Sequence, residues 1–306
     1  MYDFKKILVA VDLTALDENI TQFASFMSNH SKAEEIYFVN VIKNFSIPKK
    51  VEEEFPGLLK NAMADRILKI KESVHSYFKN TTIKINYIVE RGQRASKVLD
   101  MIDKYKIDLV IAGEKINLKG TGVFTYRLAR RAKCSLMIIP ENTTPAISKL
   151  LVPIDFSHYS KNALEKAISL SRTIDNNVEI ICQNVFRVPV GYHYTNKSYE
   201  QFAARMKKYA KEDYDKFIKK IDIEGVNITE CYTLDENSSP VNAIYEKAQE
   251  LAVDMILFGA KGRSSTTALF MGSLAERLIQ IDNKIPMLIV RPKGKAAGWI
   301  EMLREI

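Results

Sequence analysis

Three cysteines in 306 residues are too few for a disulfide framework. Cys134, Cys182 and Cys231 stand singly, with no C-x-x-C spacing and no histidine pair nearby, so they read as buried thiols rather than zinc ligands. The four histidines, His30, His75, His158 and His193, are equally scattered, which removes support for a metal site or a Cys/His nucleophile. No apolar run reaches the roughly 18–20 residues that span a bilayer. The opening MYDFKKILVAVD carries charges where a signal peptide keeps an apolar core. A cytoplasmic protein with no membrane partner is expected. Two nucleotide fingerprints, G-x-x-x-x-G-K-[ST] and G-x-G-x-x-G, are also missing.

The net charge of +8 and a pI near 9.1 raise the question of an acidic partner. Most basic residues alternate with acids, as in RMKKYAKEDYDKFIKK, Arg205 to Lys220, which is the pattern of a solvated helix face. The exception is RLARRAK, Arg127 to Lys133. It has no interleaved aromatics and no reader motif, so nucleic acid is not expected as a partner.

What the sequence does contain is a copy of itself. KKILVAVDLT from Lys5 matches SKLLVPIDFS from Ser148, EIYFVNVIKNFSIP from Glu35 matches EIICQNVFRVPV from Glu179, and IDLVIAG from Ile107 matches VDMILFG from Val253. A period this long means two complete domains rather than a solenoid, and a hydrophobic content of 46% is enough to build two cores. The polar, proline-containing ENTTPAIS, Glu141 to Ser148, reads as the linker. The expected division is 1–144, 145–293 and a tail, 294–306.

Within the second copy, apolar runs at Leu150–Ile154, Val178–Val185, Val226–Leu234, Met255–Phe258 and Met287–Val290 alternate with segments of helical period. Leu164, Ala167, Ile168, Ser171 and Ile174 share one helical face, as do Val241, Ile244, Tyr245, Ala248 and Leu251. Runs that are apolar throughout indicate strands covered on both faces. The expected fold is therefore α/β: two tandem doubly wound parallel five-stranded sheets with helices on both faces.

In such sheets a ligand sits beyond the carboxyl ends of the strands. Gly259 ends the fourth strand of the second copy and opens GAKGRSSTTALFMGSL, which leads through Gly262 to Gly272-Ser273 and a helical pattern from Leu274. Glycines allow close backbone approach and positive φ, and a helix start favours an anion. Ser273 adds a hydroxyl, while Lys261 and Arg263 add charge. The competing structural reading has Gly259 as a turn and Ser273 as a helix cap.

Gly259, Gly262, Gly272 and Ser273 fit the G-x2-G-x9-G-[ST] loop of ATP-binding universal stress proteins, and both copies resemble that family in their order of elements. The resemblance implies a universal-stress-protein-like, adenine nucleotide alpha hydrolase-like fold that binds ATP, alone or with Mg2+. It also implies roles for residues outside the loop. Val152 and Pro153 would flank the adenine, Asp155 would meet the ribose or the polar mouth, and Val185 would contact the base through its backbone. Ala260, Arg263 and Leu274 belong to the same loop and helix start. For Asp155, an N-cap or Asx-turn before the helix near Ser160 remains an open alternative.

The first copy carries a shortened loop, GEKINLKGTGVF, in which Ile116 stands for the second glycine and Val123 for the serine. Asp12 and Val41 persist there, but ATP is not expected. The function implied is a nucleotide-responsive stress or signalling module with one intact ATP site. No catalytic pair is evident, so hydrolysis would be slow at most. VPIDFSHYS is not the S-G-G-x-D-S loop of ATP pyrophosphatases or adenylating enzymes. A nucleotide-independent scaffold with an unnamed protein partner is the alternative. The apolar last strands SLMIIP and PMLIV point to a pseudo-dimer of the two copies or to a homodimer.

The tail GWIEMLREI places Trp299, Ile300, Leu303 and Ile306 near one helical face, and nine residues cannot hold such a helix undocked. Deleting 297–306 is expected to lower thermal stability while leaving the mass by light scattering unchanged. A smaller assembly with ATP binding intact would instead assign the tail to an oligomer contact.

Overall fold

The computed structural model describes residues 3–43, 48–79, 81–115, 122–175, 177–262, 271–281 and 284–292. Ile116, residues 118–121, Arg263 and the tail 294–306 lie outside them. The chain divides into two compact units, one ending at Pro145 and the other beginning at Ala146.

The first unit runs β1 (Lys6–Val11), α1 (Leu16–Asn29), β2 (Glu35–Ile42), α2 (Lys49–Glu54), α3 (Leu58–His75), β3 (Lys84–Arg91), α4 (Arg94–Tyr105), β4 (Leu109–Glu114), α5 (Gly122–Arg131) and β5 (Ser135–Pro140). Its strands pair in parallel in the order β3-β2-β1-β4-β5. The second unit runs β6 (Lys149–Pro153), α6 (His158–Ile174), β7 (Glu179–Phe186), α7 (Tyr199–Ile218), β8 (Asn227–Leu234), α8 (Pro240–Glu250), β9 (Met255–Gly259), α9 (Ser273–Gln280) and β10 (Met287–Val290). Its order is β8-β7-β6-β9-β10, again parallel. Helices α1 and α3 cover one face of the first sheet and α4 and α5 the other, with α6, α7, α8 and α9 arranged likewise on the second. This is the doubly wound α/β fold that the continuous apolar runs imply, formed twice.

Three strands are buried along nearly their whole length: LVIAGE of β4, SLMIIP of β5 and MLIV of β10 supply core residues almost without interruption. The expected run at Val226–Leu234 differs. As β8 it ends the strand order of its unit, and its sequence NITECYTL is half-exposed, with polar Asn227, Thr229 and Glu230 at its exposed positions. Helix α6 buries Leu164, Ala167, Ile168 and Ser171, and α8 buries Val241, Ile244 and Ala248, on the faces the periodicity picks out. Helix α7 buries only Ala210, Tyr214 and Phe217; its charges stand in solvent as i,i+4 pairs such as Lys208 with Glu212 and Lys211 with Asp215. No helix among the described residues is long and apolar enough to cross a membrane.

Two polar clamps hold the first strand of each unit at its ends. At the amino end, the Asp108 carboxylate accepts the backbone N–H groups of Lys5 and Lys6, both at 3.0 Å. Asp254 does the same for Ser148 and Lys149, at 2.7 and 2.8 Å. At the carboxyl end, the Asn40 amide donates to the Val11 carbonyl at 3.0 Å, and the Asn184 amide to the Ile154 carbonyl at 2.9 Å. Buried groups that lose such a partner are expensive to leave unpaired. Asn184→Ala is therefore expected to destabilise the second unit by roughly 1–3 kcal/mol, measured by urea unfolding; an unchanged midpoint would remove the clamp from the account.

Candidate functional site

The strand order reverses between β1 and β4 in the first unit and between β6 and β9 in the second. Chain segments leave those neighbouring strands towards opposite faces, which opens a crevice at the carboxyl edge. In the second unit the crevice is a cavity of about 620 Å³, inside the roughly 300–1,000 Å³ range of small-molecule sites.

Five segments converge on it. Pro153 and Asp155 come from the end of β6, Val185 from β7, Gly259 and Gly262 from the turn after β9. Gly272, Ser273 and Leu274 come from the start of α9, and Pro240 from the start of α8. Two residues singled out in the sequence stand away from the lining. Val152 is wholly buried within the sheet. Ala260 is buried too, its N–H donating to the Val290 carbonyl at 3.2 Å and its carbonyl accepting the Gly272 N–H at 2.9 Å.

None of the three loop glycines has a left-handed φ, so positive φ is not what selects them. Close approach is. A Cβ on Gly259 would stand 2.6 Å from the Tyr159 carbonyl oxygen, so this glycine lets α6 lie against β9. Gly113 plays the same part in the first unit, where a Cβ would meet Leu16 of α1 at 2.6 Å. Gly262 differs in kind: its Cβ would lie 2.8 Å from Asp155 Oδ2, so its bareness brings loop backbone beside a carboxylate.

Gly272, not Ser273, is the N-cap of α9, with φ −68° and ψ 150°, and Ser273 is the first helical residue. The N–H groups of that first turn have no intrahelical acceptor, and the positive end of the helix dipole faces the cavity with them. Asp155 Oδ1 accepts the Ser157 N–H at 3.1 Å, an Asx-turn that leads into α6, whose N-cap is Ser157. Lys261 lines the cavity with its ammonium 5.7 Å from the Tyr159 ring centre. Burial and then the nearby Arg291 charge lower its pKa.

Gln183, Asn184, Arg187, Ile244 and Phe258 also line the cavity and escape a motif-based reading. The only sequence signal for them is position, since they fall at the carboxyl ends of β7 and β9 or in the first turns of α8.

A sequence model of the universal stress protein family matches residues 3–140 and again residues 146–291. The chain belongs to the universal stress protein family. It is a tandem member, with one match in each unit. It is 27% identical over 160 residues to universal stress protein MJ0577 of Methanocaldococcus jannaschii, covering 48% of this chain and 96% of that one. It is 29% identical over 147 residues to universal stress protein MJ0531 of the same organism, covering 48% of this chain and 84% of that one. The crystal structure of a universal stress protein from Archaeoglobus fulgidus aligns with a TM-score of 0.66 at 15% identity, over 95% of this chain and 99% of that one, which is a likeness of fold.

The first unit of this universal stress protein has a smaller cavity at the equivalent edge, about 360 Å³. Arg94 opens α4 where Pro240 opens α8. Its guanidinium lies 3.6 Å from Asp12, donates to the Ala10 carbonyl at 3.3 Å and stacks 4.2 Å over the Phe124 ring. Asp12 also accepts from Thr14 Oγ1 at 2.6 Å. Beneath them Asp17 is buried, accepting the N–H of Asp12 at 3.1 Å and of Leu13 at 2.7 Å.

Burial pushes the Asp17 carboxyl up to about 6; the two N–H donors and the Arg94 charge oppose the shift, and the Asp12 charge adds to it. The folded protein thus takes up a proton that the unfolded chain, with a carboxyl near 3.9, does not. The stability this supplies is complete below about pH 4 and lost as pH rises through about 6. Asp17→Asn is expected to remove that slope. Relative to wild type, the variant should gain on the order of 2–3 kcal/mol between pH 4 and 7 in urea unfolding; a difference that stays constant with pH would refute the assignment.

Proposed function

We propose that this tandem universal stress protein binds one ATP per chain, in the second unit, and acts as a nucleotide-responsive stress or signalling module. The observation that carries the reading is the convergence of Gly262, Lys261 and the first turn of α9 on one cavity at the strand-order reversal. Bare backbone, unpaired N–H groups and a cation are what a polyphosphate needs. Pro153, Val185 and Ile244 offer apolar surface for a base, and Asp155, also in the lining, would accept from ribose hydroxyls.

The first unit supports the count of one. Its cavity is little more than half the volume, and the Arg94 guanidinium reaches into it, bound to Asp12 and to the Ala10 carbonyl. A nucleoside entering there would have to break that ion pair.

Calorimetric titration is expected to give one ATP per chain. Gly262→Ile, whose Cβ would sit at 2.8 Å from the Asp155 carboxylate, should weaken binding by about tenfold or more, equivalent to roughly 1.4 kcal/mol or greater. Two equivalent sites, or full affinity in the variant, would overturn the assignment. Denaturing the purified protein and identifying any nucleotide released is an independent check.

A further inference from the structure

The first unit's cavity is lined by three cations, Arg94, Lys115 and Arg127, and by a single carboxylate, Asp12. At neutral pH the lining therefore carries two more positive charges than negative ones. Leu16, Val123 and Phe124 add apolar wall, which gathers the field of those charges into the cavity. Glu114, close by in the chain, accepts from Thr125 Oγ1 at 3.2 Å and is not part of the lining.

Arg94 is fixed in place without being neutralised. Its half-buried guanidinium lies flat on the Phe124 ring at 4.2 Å and donates to the Ala10 carbonyl at 3.3 Å. Asp12 stands 3.6 Å from the other outer nitrogen, beyond the roughly 2.7–2.9 Å of a charge-assisted hydrogen bond. Neither contact uses Nε, so one edge of the fork is left to the cavity. Arg127 lies one turn after Phe124 on α5, exposed and with no acidic partner among the described residues. It opens RLARRAK, the stretch whose cations lack acidic neighbours. Neither arginine has a counterpart in the second cavity: Pro240 stands for Arg94, and Arg277, which stands for Arg127, is not part of that lining.

We propose that this cavity is a second ligand site, one that takes a compact phosphate monoester between Arg94 and Arg127, with Lys115 beside it. A phosphoryl group carries about −1.5 to −2 at neutral pH, which matches the surplus charge of the lining. The planar guanidinium fork fits two of its oxygens at once. A cavity of about 360 Å³ is at the small end of the roughly 300–1,000 Å³ range of such sites, so the ester is one that carries no base. Asp12 keeps its place, because the phosphate meets the edge of the guanidinium that Asp12 and Ala10 leave open. The site is independent of the ATP reading of the second unit.

Calorimetric titration of the full chain, with saturating ATP present to fill the second unit, tests this. Inorganic phosphate and glycerol 3-phosphate are each expected to bind at one site per chain, succinate more weakly and glycerol not at all. Arg127→Gln should weaken both phosphates by about tenfold or more, and since Arg127 is exposed the variant keeps its fold. Arg130→Gln removes the same charge from an exposed position of the same helix outside the lining, and should bind as wild type does. Absence of saturable phosphate binding overturns the proposal. So does an equal loss in the Arg127 and Arg130 variants, which would make the effect one of overall charge, or succinate binding as tightly as phosphate. If Arg127→Gln instead removes an ATP from the count, the first unit takes nucleotide, and this proposal falls together with the count of one. Failure of ATP to bind overturns the nucleotide reading alone, because phosphate binding and its loss in Arg127→Gln are read without it.

Discussion

A parallel strand covered on both faces must find partners for its backbone from its neighbours alone, because no water reaches it. The strands β1 and β6 carry the heaviest version of this demand, since each has a paired neighbour on both sides and a fully buried middle. The ends are where a ladder runs out. Asp108 and Asp254 take up the orphan N–H groups at one end, and Asn40 and Asn184 take up the carbonyl at the other. Each clamp residue is the same in both units because the backbone problem is the same. With β6 pinned at Ile154, the chain beyond it is aimed, and Asp155 is delivered to the edge of the cavity by a turn that the Asn184 bond has already fixed.

That constraint separates two kinds of glycine that look alike in a motif. Gly259 and its counterpart Gly113 serve the contact between first helix and fourth strand, and both units need them whatever they bind. Gly262 and Gly272 serve the loop: one brings backbone beside Asp155, the other lets the Lys261 backbone pass within 3.2 Å of the place a Cβ would occupy. A glycine pattern is therefore a mixture of helix–strand packing and close approach within a loop.

Local sequence was a good guide to whatever local physics decides. Continuous Val/Ile/Leu runs specified buried strands such as β6 and β10 to within a residue or two, and helical periodicity found the buried faces of α6 and α8, since burial on both faces or on one stripe leaves a direct mark on composition. The same reading missed the edge status of β8, because its Ile228, Tyr232 and Leu234 look like core until the strand order is known. It named residues near the cavity through a motif and a resemblance, but not Gln183, Arg94 or the clamp asparagines. Each of those matters through a partner 29 to 84 positions away, Val11 for Asn40, Ala243 for Gln183, Ala10 for Arg94, and no window along the chain contains both members. The competing structural reading of Ser273 as a helix cap does not hold, because Gly272 takes the N-cap position with no side chain to bond.

The two units diverge by exchanging what fills the same crevice, and the exchange follows from the cost of burying charge. An arginine at the start of α4 cannot be buried alone, so it recruits Asp12, the Ala10 carbonyl and the face of Phe124. Those contacts occupy the carboxyl edge of the sheet, above an Asp17 whose charge is disfavoured by burial and partly offset by Arg94. In the second unit Pro240 at the same point brings no charge and no N–H, and the crevice keeps its volume. One unit thus pairs its crevice carboxylate internally. The other keeps bare backbone and a carboxylate at the equivalent edge of its own sheet, around a cavity of about 620 Å³.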